Sequence, residues 1–335
     1  MKVLVTGAYG NIGSSLLDQL TSRGHTVRSF DVGTKANRRR ARAYAGKVEM
    51  VWGDVRRSED LAAAVADQDA VVHLAFVIPH MSVTGVESER QPEWARKVNV
   101  DGTRNLIAAM EAQPRPPRLV FASSLHIYGR TQDQKPPRLV TDIPRPTEHY
   151  ARHKVECEGH VRASRLQWAI LRLAATFPLA IKADKGMFNV PLDNRMEFIH
   201  TRDVALAMAN TIESEAVWGK TWHIGGGQRC QFYFRDLAGK VLETLGVGRL
   251  PEAAYATVPF ATDWLDTSES QALLHYQTRT LDDYAREMAR LAGPYRLLIR
   301  AFRPFVRYWL LSQSPYYPRL RLWPFRRLAA TSAWL

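Results

Sequence analysis

The run "KVLVTGAYGNIGSSLLDQL", residues 2–20, narrows the fold more than any other stretch of the chain. A short apolar, β-branched segment leads directly into glycines at 7, 10 and 13. Apolar residues then recur at helical spacing until Gly24 stops them. A strand that passes straight into a helix must find its next partner strand by a crossover, and crossovers make parallel pairs. The same rhythm continues in "TVRSFD", "VEMVWGD", "AVVHLAF", "RLVFASS" and "WAILRLA". Helical stretches lie between them at "LAAAVA", about 93–110 and about 147–165. Strands apolar on both sides need both faces of the sheet covered. The expectation is an α/β fold, a Rossmann-type doubly wound parallel sheet.

After residue 174 the alternation breaks. "FIHTRDVALAMANTI" and "GKTWHIGGG" predict a helix and a strand that rejoin the sheet. The expected division is therefore residues 1–174 with 198–226 as the dinucleotide-binding domain. Residues 175–197 and 227–292 form a smaller C-terminal substrate lobe, and 293–335 a basic aromatic tail. The proline-rich segment "QDQKPPRLVTDIPRP" reads as a mobile or substrate-facing loop. Hydrophobic residues are 46% and charged residues 24%, which excludes a disordered chain. Cys157 and Cys230 stand far apart, so neither a disulfide framework nor a metal site is expected. The N-terminus lacks the apolar run of a signal peptide, and no run of about 18 apolar residues predicts a membrane span. A cytoplasmic location is expected.

The glycine triplet sits where backbone must approach a pyrophosphate, with a helix N-terminus behind it. Asp31 ends the second strand, placed to accept hydrogen bonds from ribose hydroxyls and to repel a 2′-phosphate. It favours NAD over NADP. The downstream arginines 38, 39, 40 and 42 read as a solvated basic helix. Tyr150 and Lys154 in "YARHK" lie four apart on one helical face. A nearby ammonium and an oxidised nicotinamide lower a phenol's pKa, so this tyrosine can take a hydroxyl proton. Ser124, at the end of the fifth strand, can hydrogen-bond the reacting oxygen.

The ordered set "TGAYGNIG", Asp31, "GDV", "HLA", "VNVDGT", "SSLHIYG", "YARHK", "LRL" and "FIHTRDVA" covers about residues 1–245. It resembles the extended short-chain dehydrogenase/reductase family, the NAD-dependent epimerase/dehydratase group. The resemblance implies Ser124, Tyr150 and Lys154 as the catalytic triad. It implies a cofactor site of Gly7, Gly10, Asn11, Ile12, Gly13, Asp31, Asp54, Val55, Leu74, Ala75 and Asn99, with Tyr150 and Lys154. Asp54 would hold the adenine amine, and Asn99 is a structural or cofactor-side residue. Two departures bear on the substrate. Family members acting on nucleotide sugars carry an asparagine where this chain has Ala175, and an arginine where it has Met196, with Arg195 one step off register. A desolvated diphosphate needs such donors. Ser124-Leu125-His126 also lacks the acidic pair of the 4,6-dehydratases. The expected function is an NAD-dependent dehydrogenase or reductase at a secondary alcohol or ketone, or an epimerase working through a transient ketone. The substrate is a small molecule other than a typical nucleotide sugar, with His126, Met187, Phe188 and Arg195 as candidate contacts. The alternatives are a nucleotide-sugar epimerase and a non-catalytic NAD-binding sensor or scaffold.

Net charge is +13, and residues 293–335 hold eight arginines and no acid. At 100° per residue, Arg296, Arg300, Arg303 and Arg307 share one side of a helix, opposite Leu298, Phe302, Phe305 and Trp309. Pro304 is expected to kink it. Residues 296–327 therefore present either an anionic membrane surface with its partner or a helix packed on the lobe or in a homodimer, and nucleic acid is not the expected partner.

Overall fold

Seven strands form one parallel sheet in the computed structural model, which describes residues 1–79, 85–181 and 183–318. They are β1 (Lys2–Thr6), β2 (Thr26–Asp31), β3 (Val48–Trp52), β4 (Ala70–His73), β5 (Arg118–Ser124), β6 (Trp168–Leu173) and β8 (Lys220–Ile224). Their order is β3-β2-β1-β4-β5-β6-β8, all pairs parallel. The order reverses between β1 and β4. There the chain leaves the two strands in opposite directions and opens a crevice at their carboxyl ends.

Alternate residues of each strand serve opposite layers, as strand periodicity requires. Val3, Val5 and Val72 pack under helices Asn11–Ser22 and Thr201–Glu213, through Leu16, Leu17, Leu20, Val204, Met208 and Ile212. Leu4, Val71 and Phe121 pack against Leu61, Leu106 and Val161 on helices Ser58–Val65, Gly102–Glu111 and His149–Ala163. Each such fully buried side chain contributes about 1.5–3 kcal/mol. The strand and helix predicted at 198–226 join this sheet, β8 beside β6 and Thr201–Glu213 over helix Asn11–Ser22.

The helix predicted at about 93–110 is interrupted. Pro92–Arg96 passes through a π-helical turn, Lys97–Asp101, before Gly102–Glu111. The wider turn presents Asn99 inward. Its amide clasps the Val77 backbone, accepting the N–H at 2.6 Å and donating to the carbonyl at 3.0 Å.

A separate hydrophobic cluster includes Phe188, Phe198, Phe234, Leu237, Tyr284 and Met288. It lies under the short antiparallel pair β7 (Arg195–Glu197) and β9 (Gln231–Tyr233), with helices Phe234–Thr244 and Leu281–Ala292. The proline-rich loop is not free. Arg138 N–H donates to the Trp264 carbonyl at 2.7 Å, and Arg145 N–H to the Ile127 carbonyl at 2.8 Å.

The tail differs from the single kinked helix expected. Tyr295–Ala301 and Arg303–Ser312 are two helices broken at Phe302. Pro304 falls in the first turn of the second, where a missing N–H costs no intrahelical bond. Residues 319–335, with the last part of the 296–327 surface, lie outside the described residues. No helix among the described residues is long and apolar enough to cross a membrane.

Candidate active site

The glycine turn joins β1 to helix Asn11–Ser22 at the reversal point. Gly7 has φ +65°, and a Cβ there would lie 2.7 Å from the Ala75 nitrogen. At Gly13 a Cβ would come within 2.5 Å of the Gly7 and Ala8 carbonyls. A side chain at either position would push the turn apart, which is the physical reason for the motif. Leu74 and Ala75 leave β4 alongside the turn, their N–H groups donating to Thr6 Oγ1 at 3.2 Å each. Helix Asn11–Ser22 begins at Gly10 with no side-chain cap. The N–H groups of Asn11, Ile12 and Gly13 therefore point out of the helix end, where an anion is favoured.

Asp31 Oδ2 accepts the Tyr9 N–H at 3.0 Å, and Oδ1 accepts from Val32 N–H at 2.8 Å and Asn37 Nδ2 at 3.0 Å. Burial pushes its carboxyl upward, against these hydrogen bonds and the charge of Arg40. The carboxylate is thus held beside the turn. An uncapped helix end, a turn without side-chain bulk and a fixed acid at the second strand fit a dinucleotide.

The four arginines are exposed, as expected, and two of them also contact the protein: Arg38 lies 4.8 Å over the Trp52 ring, and Arg40 donates to the Tyr9 carbonyl at 2.7 Å. Asp54 is already engaged by Arg56, whose Nη2 is 2.5 Å from Oδ2 and whose Nε bonds both oxygens at 3.0 Å. Val55 is buried and packs on Gly102. Asn99 spends its amide on Val77 and is 3.3 Å from His153 Nδ1, so its position is structural.

Ser124, Tyr150 and Lys154 meet at the carboxyl end of β5. Ser124 Oγ accepts the His126 N–H at 3.3 Å, opening a turn at Leu125–Tyr128. Tyr150 lies in the first turn of helix His149–Ala163, close to Ser124. Lys154, one turn on, is buried. Its Nζ donates to the Ala122 carbonyl at 2.5 Å and stands 3.4 Å over the Phe76 ring centre. Burial pushes the lysine down to about 7, opposed by the charges of Cys157 and Glu158. Burial pushes the phenol up to about 12; the Ser124 hydrogen bond works against this and the Glu148 charge adds to it. The lowered phenol expected from the sequence is therefore not a property of the protein alone. The lysine nitrogen is 5.8 Å from the tyrosine ring centre and directed at the Ala122 carbonyl.

His126 also belongs to this group. Its Nδ1 is 2.8 Å from Glu148, and its ring is edge-on to Tyr150 at 5.8 Å and to Phe260 at 5.5 Å. The other candidate contacts separate from it. Phe188 is fully buried against Tyr255 in the second cluster, and Met187 packs partly buried on the same cluster. Arg195 donates to both Asp263 oxygens and to the carbonyls of Thr131, Gln132 and Gln134. It fastens the proline-rich loop. Ala175 makes backbone bonds to Glu197 and Ile199, and Met196 is buried in β7.

The sequence reading missed three supports. Glu89 accepts the N–H groups of His149 and Tyr150 at 3.0 and 2.9 Å, placing an anion at the helix N-terminus that carries Tyr150. No local signal marks it, since it is some 60 residues away in sequence. Phe76 stands edge-on to Tyr150 at 5.7 Å. Glu158 repeats the spacing of four from Tyr150 and Lys154, a signal that was legible. It is buried and holds Arg172 through two bonds of 3.0 and 2.8 Å, with Ser123 Oγ at 2.6 Å.

A model of the NAD dependent epimerase/dehydratase family matches residues 3–177. A 3-beta-hydroxysteroid dehydrogenase of Mycolicibacterium neoaurum is 38% identical over 133 residues, 39% of this chain and 34% of that one. The chain thus spans about a third of that relative's length. A UDP-glucose 4-epimerase of Klebsiella pneumoniae is 34% identical over 135 residues, 38% of this chain and 93% of its own. Among solved structures, the UDP-glucuronic acid 4-epimerase of Bacillus cereus, in complex with UDP-glucuronic acid and NAD, superposes with a TM-score of 0.71. It covers 87% of this chain and 98% of its own at 23% identity, a likeness of fold.

Proposed function

Because the chain belongs to the NAD dependent epimerase/dehydratase family, we propose that it interconverts a secondary alcohol and a ketone on an apolar substrate rather than a nucleotide sugar. The observation that carries this reading is the aromatic setting of the Tyr150 ring, together with the lack of free donors at the two departing positions. Phe76 and His126 stand edge-on to its ring, and Phe260 stands edge-on to His126. Met196 offers no donor, Ala175 offers only backbone, and the Arg195 guanidinium is committed to Asp263 and three carbonyls. A desolvated diphosphate would meet few matching charges there. The relationship to a steroid dehydrogenase points the same way.

Tyr150 takes the proton of the substrate hydroxyl in oxidation and returns it to the ketone oxygen in reduction. Ser124 holds that oxygen in line. Lys154 in its ammonium form stabilises the phenolate. The glycine turn and Asp31 would hold NAD, Asp31 at the adenosine ribose, and the bound cofactor would supply the acceptor for the hydride of the carbinol carbon. Residues 175–197 and 227–292 would supply the substrate lobe.

The test is a side-by-side assay with NAD, following reduced-nicotinamide absorbance. The alcohols are 3β-hydroxysteroids and other cyclic apolar secondary alcohols, set against UDP-glucose. The expected result is kcat/KM at least tenfold higher for an apolar alcohol, with net reduced cofactor. Isomerisation of the UDP-sugar without net reduction, alongside inert apolar alcohols, favours the nucleotide-sugar epimerase instead.

A further inference from the structure

The two C-terminal helices turn an unexpected side to solvent. Their inward side carries Ile299, Val306, Leu310 and Leu311, which pack on the second cluster. Two arginines also face the protein. Arg303 Nε donates to the Val247 carbonyl at 3.0 Å, and Arg307 Nη1 to the carbonyls of Val247 and Arg249 at 3.2 and 2.5 Å. These carbonyls follow the end of helix Phe234–Thr244, so the guanidinium groups satisfy acceptors there. The opposite side stays open. Tyr295, Leu298, Phe302 and Trp309, with Leu291 of the preceding helix, are each 51–66% exposed. An amphipathic helix that served only to cover its own core would bury those residues.

We propose that this face is a docking surface for an anionic lipid bilayer, with the aromatic and leucine side chains entering the headgroup boundary. The charge supports that occupant. Arg303 and Arg307 are spent on the protein, but the sequence after residue 318 adds four arginines and no acid. Acids on the neighbouring helix Leu281–Ala292 are already neutralised: Asp282 by Lys240, Asp283 by Arg286, and Glu287 by Arg202. Bulky aromatics beside arginine on a helix too short and too polar to span are the composition of an interfacial anchor. The anchor also lies beside the substrate lobe, since Tyr316 Oη donates to Asn189 Oδ1 at 3.2 Å.

The experiment is co-sedimentation of the full chain with vesicles of phosphatidylcholine alone and with phosphatidylglycerol added. It is repeated with the triple variant Leu298→Ser, Phe302→Ser, Trp309→Ser, whose thermal midpoint is checked against the parent. The expected result is recovery with anionic vesicles at least tenfold above neutral ones. It falls at least fivefold in the triple variant with the midpoint unchanged. Equal recovery of parent and variant, or none of the parent, overturns the proposal. So does loss of a parental dimer in the variant without vesicle binding, which identifies a second copy as the occupant. An activity assay on soluble alcohols is independent of this outcome.

Discussion

Tyr150→Phe lowers kcat for alcohol oxidation by about 10³-fold and leaves NAD affinity within about twofold. The ring, its edge contacts with Phe76 and His126, and its place in the helix all survive the change. What is lost is the hydroxyl that would exchange the proton. Because burial holds the phenol up to about 12, the resting group is an acid suited to reduction. Oxidation needs the phenolate beside the ammonium form of Lys154, which burial pushes down to about 7, so the parent's oxidation rate should climb with pH up to that point and level above it. In the variant the profile should be flat and low. A variant with parental kcat removes Tyr150 from the chemistry and overturns the mechanism, whereas a parent that binds NAD and oxidises no alcohol favours a protein that binds the dinucleotide without turnover.

Glu158→Ala destabilises the fold by about 3–5 kcal/mol, a fall in thermal midpoint on the order of ten degrees. Glu158 and Arg172 are 1% and 4% exposed, and the pair lies directly behind β5 and β6. Removing the carboxylate leaves a guanidinium in the interior with only Tyr128 and the Val140 carbonyl as partners. The pair responds to acid in a definite sense. Burial pulls the Glu158 carboxyl upward, but the hydrogen bonds and charge of Arg172, with Ser123 and Arg162, outweigh this and hold it below the usual carboxylate range. Its stabilising contribution is therefore complete above the ordinary glutamate range and is lost as pH falls through the depressed value. Denaturant melts across that window should slope less in the variant than in the parent. The double change Glu158→Leu, Arg172→Met should cost less than Glu158→Ala alone, because no charge is stranded. A single variant within about 0.5 kcal/mol of the parent contradicts this account.

The parts legible in sequence were those set by local periodicity and backbone demand. β1, the glycine turn and its helix could be read because strand period, absent Cβ atoms and helical spacing all act within some twenty residues. Tyr150 and Lys154 could be read for the same reason, since one helical face carries both. The π-helical turn at Lys97–Asp101 could not. It is fixed by the Asn99 clasp on Val77, a contact across 22 residues. Arg195 looked like a substrate donor because its acceptors, Asp263 and the loop at 131–134, come from two other places in the chain. The tail showed its amphipathic division in sequence, but not which side would face the protein. The carbonyls at Val247 and Arg249 decided that, by drawing Arg303 and Arg307 inward.

The most direct test of the central claim uses an apolar secondary alcohol with deuterium at its carbinol carbon, in a single turnover with excess protein and NAD. The account predicts deuterium in the reduced cofactor and one ketone formed for each label transferred. Deuterium retained on a substrate carbon of inverted configuration, or released to water with no reduced cofactor, would contradict it.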